Sequence, residues 1–177
     1  MAGGLVAGHS LDNRASVAAL TVCLEEIKKY NLEWNVIAAA TVQEENTLLG
    51  AATSAFQLHP DLVIVVDVTF AKGPGATDHR SFPLGKGPTI GLGANIHPTL
   101  TKQFRSMAEE LDMPFDIETM PSSSGTDGMM TIPASGRNTI SLSKCSCQAF
   151  SIISPIFAVT FAPVGEGRLA QQLPELH

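Results

Sequence analysis

The sequence lacks the features that mark secreted, membrane-spanning and nucleic-acid-binding proteins. It has three cysteines, an odd number, and no stretch reaches the ~18 apolar residues that a membrane-spanning helix needs. Its first ten residues lack the basic segment and the long apolar run of a signal peptide. The 11 basic residues are scattered among 17 acidic ones, so no basic patch for a phosphate backbone is present. We therefore expect a cytoplasmic protein that binds neither nucleic acid nor a membrane.

What is present is the composition of one globular domain. The chain has 177 residues, of which 44% are hydrophobic and 16% are charged. A domain of this size buries roughly 70% of the surface that its unfolded chain exposes, so its core needs no disulfides. We accordingly predict that Cys23, Cys145 and Cys147 are free thiols.

Helical and strand patterns alternate along the first two thirds of the chain. Apolar residues recur at helical spacing from Leu11 to about residue 29, which predicts a helix capped near Asp12 or Asn13. A second helix is predicted over residues 48–58. The runs WNVIAAATV (34–42) and LVIVVDV (62–68) are short and continuously apolar, which is typical of buried parallel strands. Further strands are predicted at 89–92 and 115–119, and a helix that begins at His97-Pro98 is predicted to end near residue 111. This alternation predicts an α/β fold of three layers, helix/sheet/helix, with a mostly parallel sheet.

In two segments the apolar residues show neither helical nor strand spacing. Residues 70–88 are rich in glycine, proline and charge, and we expect a long surface loop there. After about Ile132 the chain is rich in serine, cysteine and phenylalanine. We predict one or two strands within 152–162 and a short helix over 169–176.

Acidic residues follow the two apolar strands. Glu44 and Glu45 come directly after the first strand, and Asp67 lies near the end of the second, where ligands bind in open α/β sheets. A carboxylate inside an apolar run must be paired, protonated or bound to a metal once it is buried. Neighbouring Glu44 and Glu45 point in different directions, so one can ligate a metal while the other handles protons. With Asp12 as a bridging carboxylate, these acids form a candidate two-metal centre for hydrolysis.

Each of these acids also has an ordinary structural explanation. In the structural explanation, Asp12 is the N-cap of the predicted helix that follows it. Glu44 and Glu45 would be a solvated pair at the start of the next helix, where acids complement the helix dipole. Asp67 taken alone favours neither the structural nor the functional explanation.

Six short motifs occur in one order along the chain: LDNRAS (11–16), ATVQEE (40–45), DLVIVVDVT (61–69), LGKGPTI (84–90), the His97-Pro98 helix start and SGTDG (124–128). In order and spacing they resemble the tetrahedral aminopeptidases, also called glutamyl or deblocking aminopeptidases, which form metallopeptidase family forty-two. The resemblance covers roughly residues 8–132. It implies that residues 1–132 are part of a zinc-aminopeptidase-like catalytic domain and that 133–177 are an atypical C-terminal segment of the same domain.

The resemblance also implies roles for individual residues. Asp12 resembles the family's bridging metal ligand, Glu45 and Asp67 resemble ligands of one metal each, and Glu44 resembles the catalytic base. The family's glycine-rich loop beside the substrate pocket is matched by Gly125, Thr126 and Asp127. The implied cofactors are two divalent metal ions, Zn or Co, and the implied substrate is a peptide. The family forms homo-oligomers through a PDZ-like domain that has no counterpart in these residues.

Two of the family's five metal ligands are histidines without a match. One belongs to an HxD motif upstream of the PDZ-like domain, and the other to an H-S/T-P motif expected after Asp127. Two substitutes for these histidines can be considered. His9 is the histidine closest in sequence to Asp12, and Cys145 and Cys147 form a CxC pair but lack the two further ligands of a zinc site. We expect a metal-dependent aminopeptidase. The alternatives are an inactive or merely metal-binding remnant of such an enzyme, and a carboxypeptidase or deacylase of the same clan.

Overall fold

A computed structural model describes residues 6–120, 126–135, 140–146 and 156–163 of the chain. These residues form four α-helices and six β-strands. The helices are α1 (Leu11–Ile27), α2 (Leu49–Leu58), α3 (Pro98–Glu110) and α4 (Gly128–Ser135); the strands are β1 (Trp34–Thr41), β2 (Leu62–Thr69), β3 (Pro88–Gly93), β4 (Asp116–Met120), β5 (Ile140–Ser146) and β6 (Ile156–Pro163). Within the described ranges, no helix is long and apolar enough to cross a membrane.

The strands form a single sheet in the order β1-β6-β2-β5-β3-β4. β2 pairs with β5 in parallel, and so does β3 with β4. β6 runs antiparallel to both β1 and β2, and β5 runs antiparallel to β3. The predicted α/β class is confirmed, but the sheet is mixed where we expected it to be mostly parallel. A strand that is covered on both faces has a continuous apolar sequence in either orientation, so the apolar runs could not reveal the antiparallel neighbours.

Both faces of the sheet are covered, as the three-layer prediction requires. Along β2, Val63 and Val65 point to one face and are each 1% exposed. Leu62 and Ile64 point to the other face, where they pack against a cluster from β3, β4, α3 and the connection between β3 and α3: Ile90, Ile96, Met120, Leu100 and Phe104. This burial on two faces explains the unbroken apolar sequence of β2.

The elements predicted before residue 120 are confirmed, with bounds that differ by about two residues. The strand expected within 152–162 is β6, whereas α4 and β5 were not predicted. The expected helix at 169–176 lies outside the described residues. β5 and β6 both come from the segment 133–177 and pair inside the common sheet. The domain boundary at residue 132 stays a prediction.

Candidate functional site

The ends of β1 and β2 meet at one edge of the sheet. β6 is antiparallel to both strands, so β1 and β2 run in the same direction. Phe157 of β6 pairs with Ala40 on one side and with Val66 on the other. Thr41 and Asp67 therefore lie at the same level, two strand spacings or about 10 Å apart. The loop after β1, which carries Glu44 and Glu45, begins beside the end of β2.

The loop after β1 is fixed by its own backbone. Gln43 has a φ of 62°, in the left-handed region, and its carbonyl accepts hydrogen bonds from three successive N–H groups. These belong to Asn46, Thr47 and Leu48, at 3.3, 3.0 and 3.0 Å. The N–H of Gly50 donates to the Val42 carbonyl at 3.2 Å. This turn sets the positions of Glu44 and Glu45 relative to the strand.

Glu44 is buried among other acids. Its side chain is 8% exposed, so it is not one of a solvated pair. Burial raises the pKa of Glu44 from 4.5 to about 8, and the negative charges of four neighbouring acids add to the effect. In decreasing order these are Asp67, Glu45, Asp127 and Asp12. Together with Glu44 they form what we call the acid cluster. The structure thus brings together the four acids that the sequence predicted and adds electrostatic contact with Asp127.

Glu45 and Asp12 are in direct contact. Glu45 is exposed overall, yet partial burial of its carboxyl group, the charge of Asp12 and a side-chain hydrogen bond with Asp12 together raise the pKa of Glu45.

Asp67 is held by hydrogen bonds from the protein. It is 7% exposed, and its Oδ1 accepts a bond of 2.7 Å from the Val68 N–H and one of 3.2 Å from the Asn13 amide. The same amide of Asn13 donates to the Val66 carbonyl at 3.2 Å. The Oδ1 atom of the buried Asp67 carboxyl group is therefore paired by hydrogen bonds from the protein.

Asn13, not Asp12, caps the first helix. Asp12 and Asn13 have non-helical backbone angles and are joined by a cis peptide bond, so the regular part of α1 begins after them. The Asn13 side-chain oxygen accepts the N–H of Ser16, three residues on, at 3.1 Å, which is the usual N-cap geometry. The N-cap explanation of Asp12 is therefore wrong, and its carboxyl group meets Glu45 instead.

Thr126 and Asp127 are completely buried, at 0% exposed. The Thr41 hydroxyl donates a hydrogen bond to Oδ2 of Asp127 and so ties the end of β1 to the start of α4. Oδ1 of Asp127 has no hydrogen-bond partner among the described residues. Burial raises the pKa of Asp127 to about 6, while the bond from Thr41 opposes the shift. Gly125 lies outside the described residues, and contact of this loop with substrate stays a prediction.

The hydrogen bond between Thr41 and Asp127 was not predicted from the sequence. The two residues are 86 positions apart, and nothing local to either marks the other as its partner. A helix cap was expected near Asp12 or Asn13, and the cap by Asn13 is confirmed; its bond to Asp67, 54 positions away, was not predicted. Glu45 and Asp67 were predicted because acids near strand ends are visible in a sequence, and Asp12 because it stands just before a helical pattern.

The acid cluster fits divalent cations in its chemistry, since carboxylate oxygens are hard ligands. Among the described side chains, however, no three histidine, cysteine or acidic residues are grouped closely enough to hold a metal ion. Asp12 and Glu45 are together, while Asp67 is turned to Asn13. His9 is exposed and bonds through Nδ1 to the hydroxyl of Ser10 at 2.6 Å. Cys147 and His177 lie outside the described residues.

Comparison with known proteins points to one family. A family model for the M42 glutamyl aminopeptidases matches residues 1–151. The lysyl aminopeptidase of Pyrococcus furiosus is 34% identical over 134 residues, which are 75% of this chain and 38% of that protein.

Solved structures agree in fold. An aminopeptidase of the archaeon Desulfurococcus kamchatkensis has a TM-score of 0.62 and 28% identity, over 85% of this chain and 43% of that one. The TET1 peptidase of Pyrococcus horikoshii, which can assemble into a tetrahedron or a large octahedral shell, has a TM-score of 0.57 and 23% identity, over 84% and 43%. The chain spans less than half the length of each of these relatives.

Replacing Gly50 with alanine tests the loop that carries Glu44 and Glu45. Alanine usually stabilises a helix by about 1 kcal/mol relative to glycine. A Cβ at Gly50, however, would overlap the backbone of Val42. Such overpacking costs about 1–3 kcal/mol, so we expect Gly50→Ala to lower the Tm. Gln57→Ala, on the exposed side of α2, is the control. A Tm that rises in Gly50→Ala would show that this contact does not constrain the loop.

The raised pKa of Glu44 predicts a pH dependence of stability for the metal-free protein. The folded state holds the Glu44 proton more tightly than the unfolded state, whose pKa is near 4.5. The free energy of unfolding should therefore fall as the pH rises from about 4.5 to about 8. The raised pKa of Asp127 should lower the free energy of unfolding in the same way, up to a pH of about 6.

Thermal melts in a chelator at pH 5 and pH 8 measure this dependence. Glu44→Gln removes the charge at nearly constant shape, so it should melt higher than the wild type at pH 8 and differ little at pH 5. Glu109→Gln, on the exposed surface of α3, is the matched control. Equal pH slopes in wild type and Glu44→Gln would contradict the burial of an acid at this position.

Proposed function

The chain belongs to the M42 glutamyl aminopeptidase family, and from this premise we propose that its acid cluster is the active centre of a metal-dependent aminopeptidase that acts on peptides. One observation carries the proposal. Glu44 is a buried carboxyl group at the end of β1, with a pKa of about 8 that is raised by burial and by four neighbouring acids. Proton transfer by a side chain calls for a perturbed pKa of this kind.

The proposed cofactors are two divalent cations, Zn or Co, held by Asp12, Glu45 and Asp67. A carboxylate has two oxygens, so Asp12 is suited to contact both ions. When bound, such ions supply a Lewis acid for the scissile carbonyl and for the attacking water. The contact between the Asp12 and Glu45 carboxyl groups supports their assignment to a shared ion.

Glu44 is the proposed general base. It must be ionised to accept a proton, whereas a pKa of about 8 keeps it mostly protonated at neutral pH in the metal-free chain. Part of that shift comes from the charges of Asp67, Glu45 and Asp12, and positive charge held by these acids opposes it. Ionised Glu44 then takes a proton from the attacking water and delivers it to the amine of the leaving peptide.

An assay with matched substrates tests the function. The purified chain, supplied with Co²⁺ or Zn²⁺, should release the chromophore from aminoacyl p-nitroanilides with a free α-amino group and leave their N-acetylated counterparts intact. Release of acetate from the N-acetylated substrates without release of the chromophore would indicate a deacylase. Metal uptake without cleavage of either series would indicate a metal-binding remnant.

Glu44→Gln should abolish peptidase activity and leave the metal content nearly unchanged. The substitution removes a base but no proposed metal ligand, and loss of a general base typically lowers the rate by about 10²–10⁴-fold. Activity assays and elemental analysis of the same samples measure both effects, with Glu109→Gln as the control. Loss of metal together with activity would assign Glu44 to the ligands instead.

Asp12→Ala should lower the content of both metal ions, because a bridging carboxylate belongs to two coordination spheres. Asn13 caps α1, so the variant should escape the loss of about 1 kcal/mol that follows removal of an N-cap. Elemental analysis and melts of the metal-free protein measure the two effects, and Asp78→Ala, an exposed acid, is the control. Full metal content together with a lowered Tm would contradict the bridging role.

A further inference from the structure

Asn13 joins the start of α1 to the end of β2. It is 0% exposed and makes three hydrogen bonds of 3.1–3.2 Å through both ends of its amide. We propose that Asn13 is a positioning residue that fixes the Asp67 carboxylate, and with it the spacing between Asp67 and Asp12, for cation binding. The inference rests on the proposed function, because it concerns two of the proposed ligands.

The contacts hold the Asp67 carboxylate from two sides. Its Oδ1 accepts one bond from the Asn13 amide and another from the Val68 N–H. Two donors on one oxygen leave the side chain little freedom to rotate about χ1 and χ2. The Asn13 amide also donates to the Val66 carbonyl, the residue before Asp67, so it is anchored to the strand as well as to the side chain.

The position of Asn13 requires both a hydrogen-bond acceptor for α1 and a donor for Asp67, and asparagine supplies both. Its oxygen accepts the Ser16 N–H at the start of α1, and its nitrogen donates to Asp67. An aspartate here would cap the helix equally well but would oppose Asp67 with a like charge. A serine would also cap the helix but would lack the amide donor.

The link also connects two of the proposed ligands. Asp12 is bonded to Asn13 through the main chain, while Asp67 is bonded to it through the side chain. One buried residue therefore spans the gap between the start of α1 and the end of β2. Partners that orient ligating carboxylates in this way typically contribute 10–100-fold to metal affinity.

The test compares variants by their affinity for Mn²⁺, measured by calorimetry on the full chain. Asn13→Ser keeps a capping oxygen and removes the amide, so it should bind Mn²⁺ about 10–100-fold more weakly than the wild type. Leu20→Ala removes a side chain of α1 that is 6% exposed and should destabilise the helix packing without touching Asp67. It should retain wild-type affinity. An unchanged affinity in Asn13→Ser would overturn the proposal.

A double-mutant cycle identifies Asp67 as the residue through which Asn13 acts. In an Asp67→Ala background, Asn13→Ser should cause no further loss of Mn²⁺ affinity. Asp67→Ser replaces Asp67→Ala if the latter fails to fold. A loss of the same size in both backgrounds would show that Asn13 acts elsewhere and would overturn the proposal.

A metal-free measurement separates this inference from the proposed function. A wild-type chain that binds no Mn²⁺, Zn²⁺ or Co²⁺ would contradict the metal centre. The coupling between Asn13 and Asp67 is then decided by melts in a chelator, where the Tm loss of the double variant should be smaller than the sum of the two single losses. Additive Tm losses would overturn the positioning role.

Discussion

The site depends on one constraint: five carboxyl groups lie around the same edge of the sheet, and burial together with the charges of the other four opposes the ionisation of Glu44. The protein supplies hydrogen-bond donors to two of the other acids. Asn13 and the Val68 N–H donate to Asp67, and Thr41 donates to Asp127. The pKa of Glu44 is raised to about 8. A cation is the other way to relieve the same repulsion.

Much of the fold follows from the sequence because the relevant signals are local. Continuous apolar runs predicted β1 and β2, and Pro98 marked the start of α3. The orientation of β6 was hidden, since a strand buried on both faces has the same composition whichever way its neighbours run. β5 was hidden because Ile140 and Leu142 alternate with polar residues for too short a stretch to stand out.

Some residues of the site could likewise be predicted from local sequence patterns, whereas others depend on contacts between distant parts of the chain. Acids near strand ends are conspicuous, so Glu44, Glu45 and Asp67 were predicted from their positions, and the structure brings them into electrostatic contact. The residues that orient them are polar and uncharged, and they act across 54 and 86 positions of the chain. Pairing at that range is decided by the arrangement of the elements, which no local pattern of Asn13 or Thr41 reveals.

The proposed metal binding and the stability of the fold involve the same carboxyl groups. At neutral pH the metal-free fold must either keep protons on buried acids or bear their repulsion, and each proton retained on Glu44 withholds the proposed base from the reaction. A ligand that binds only the folded state stabilises it by about 2.7 kcal/mol at a concentration one hundred times its Kd. Cations held by the acid cluster would therefore favour the folded chain and an ionised Glu44 together. The buried acids that cost stability without metal are thus the ones that the proposed activity uses.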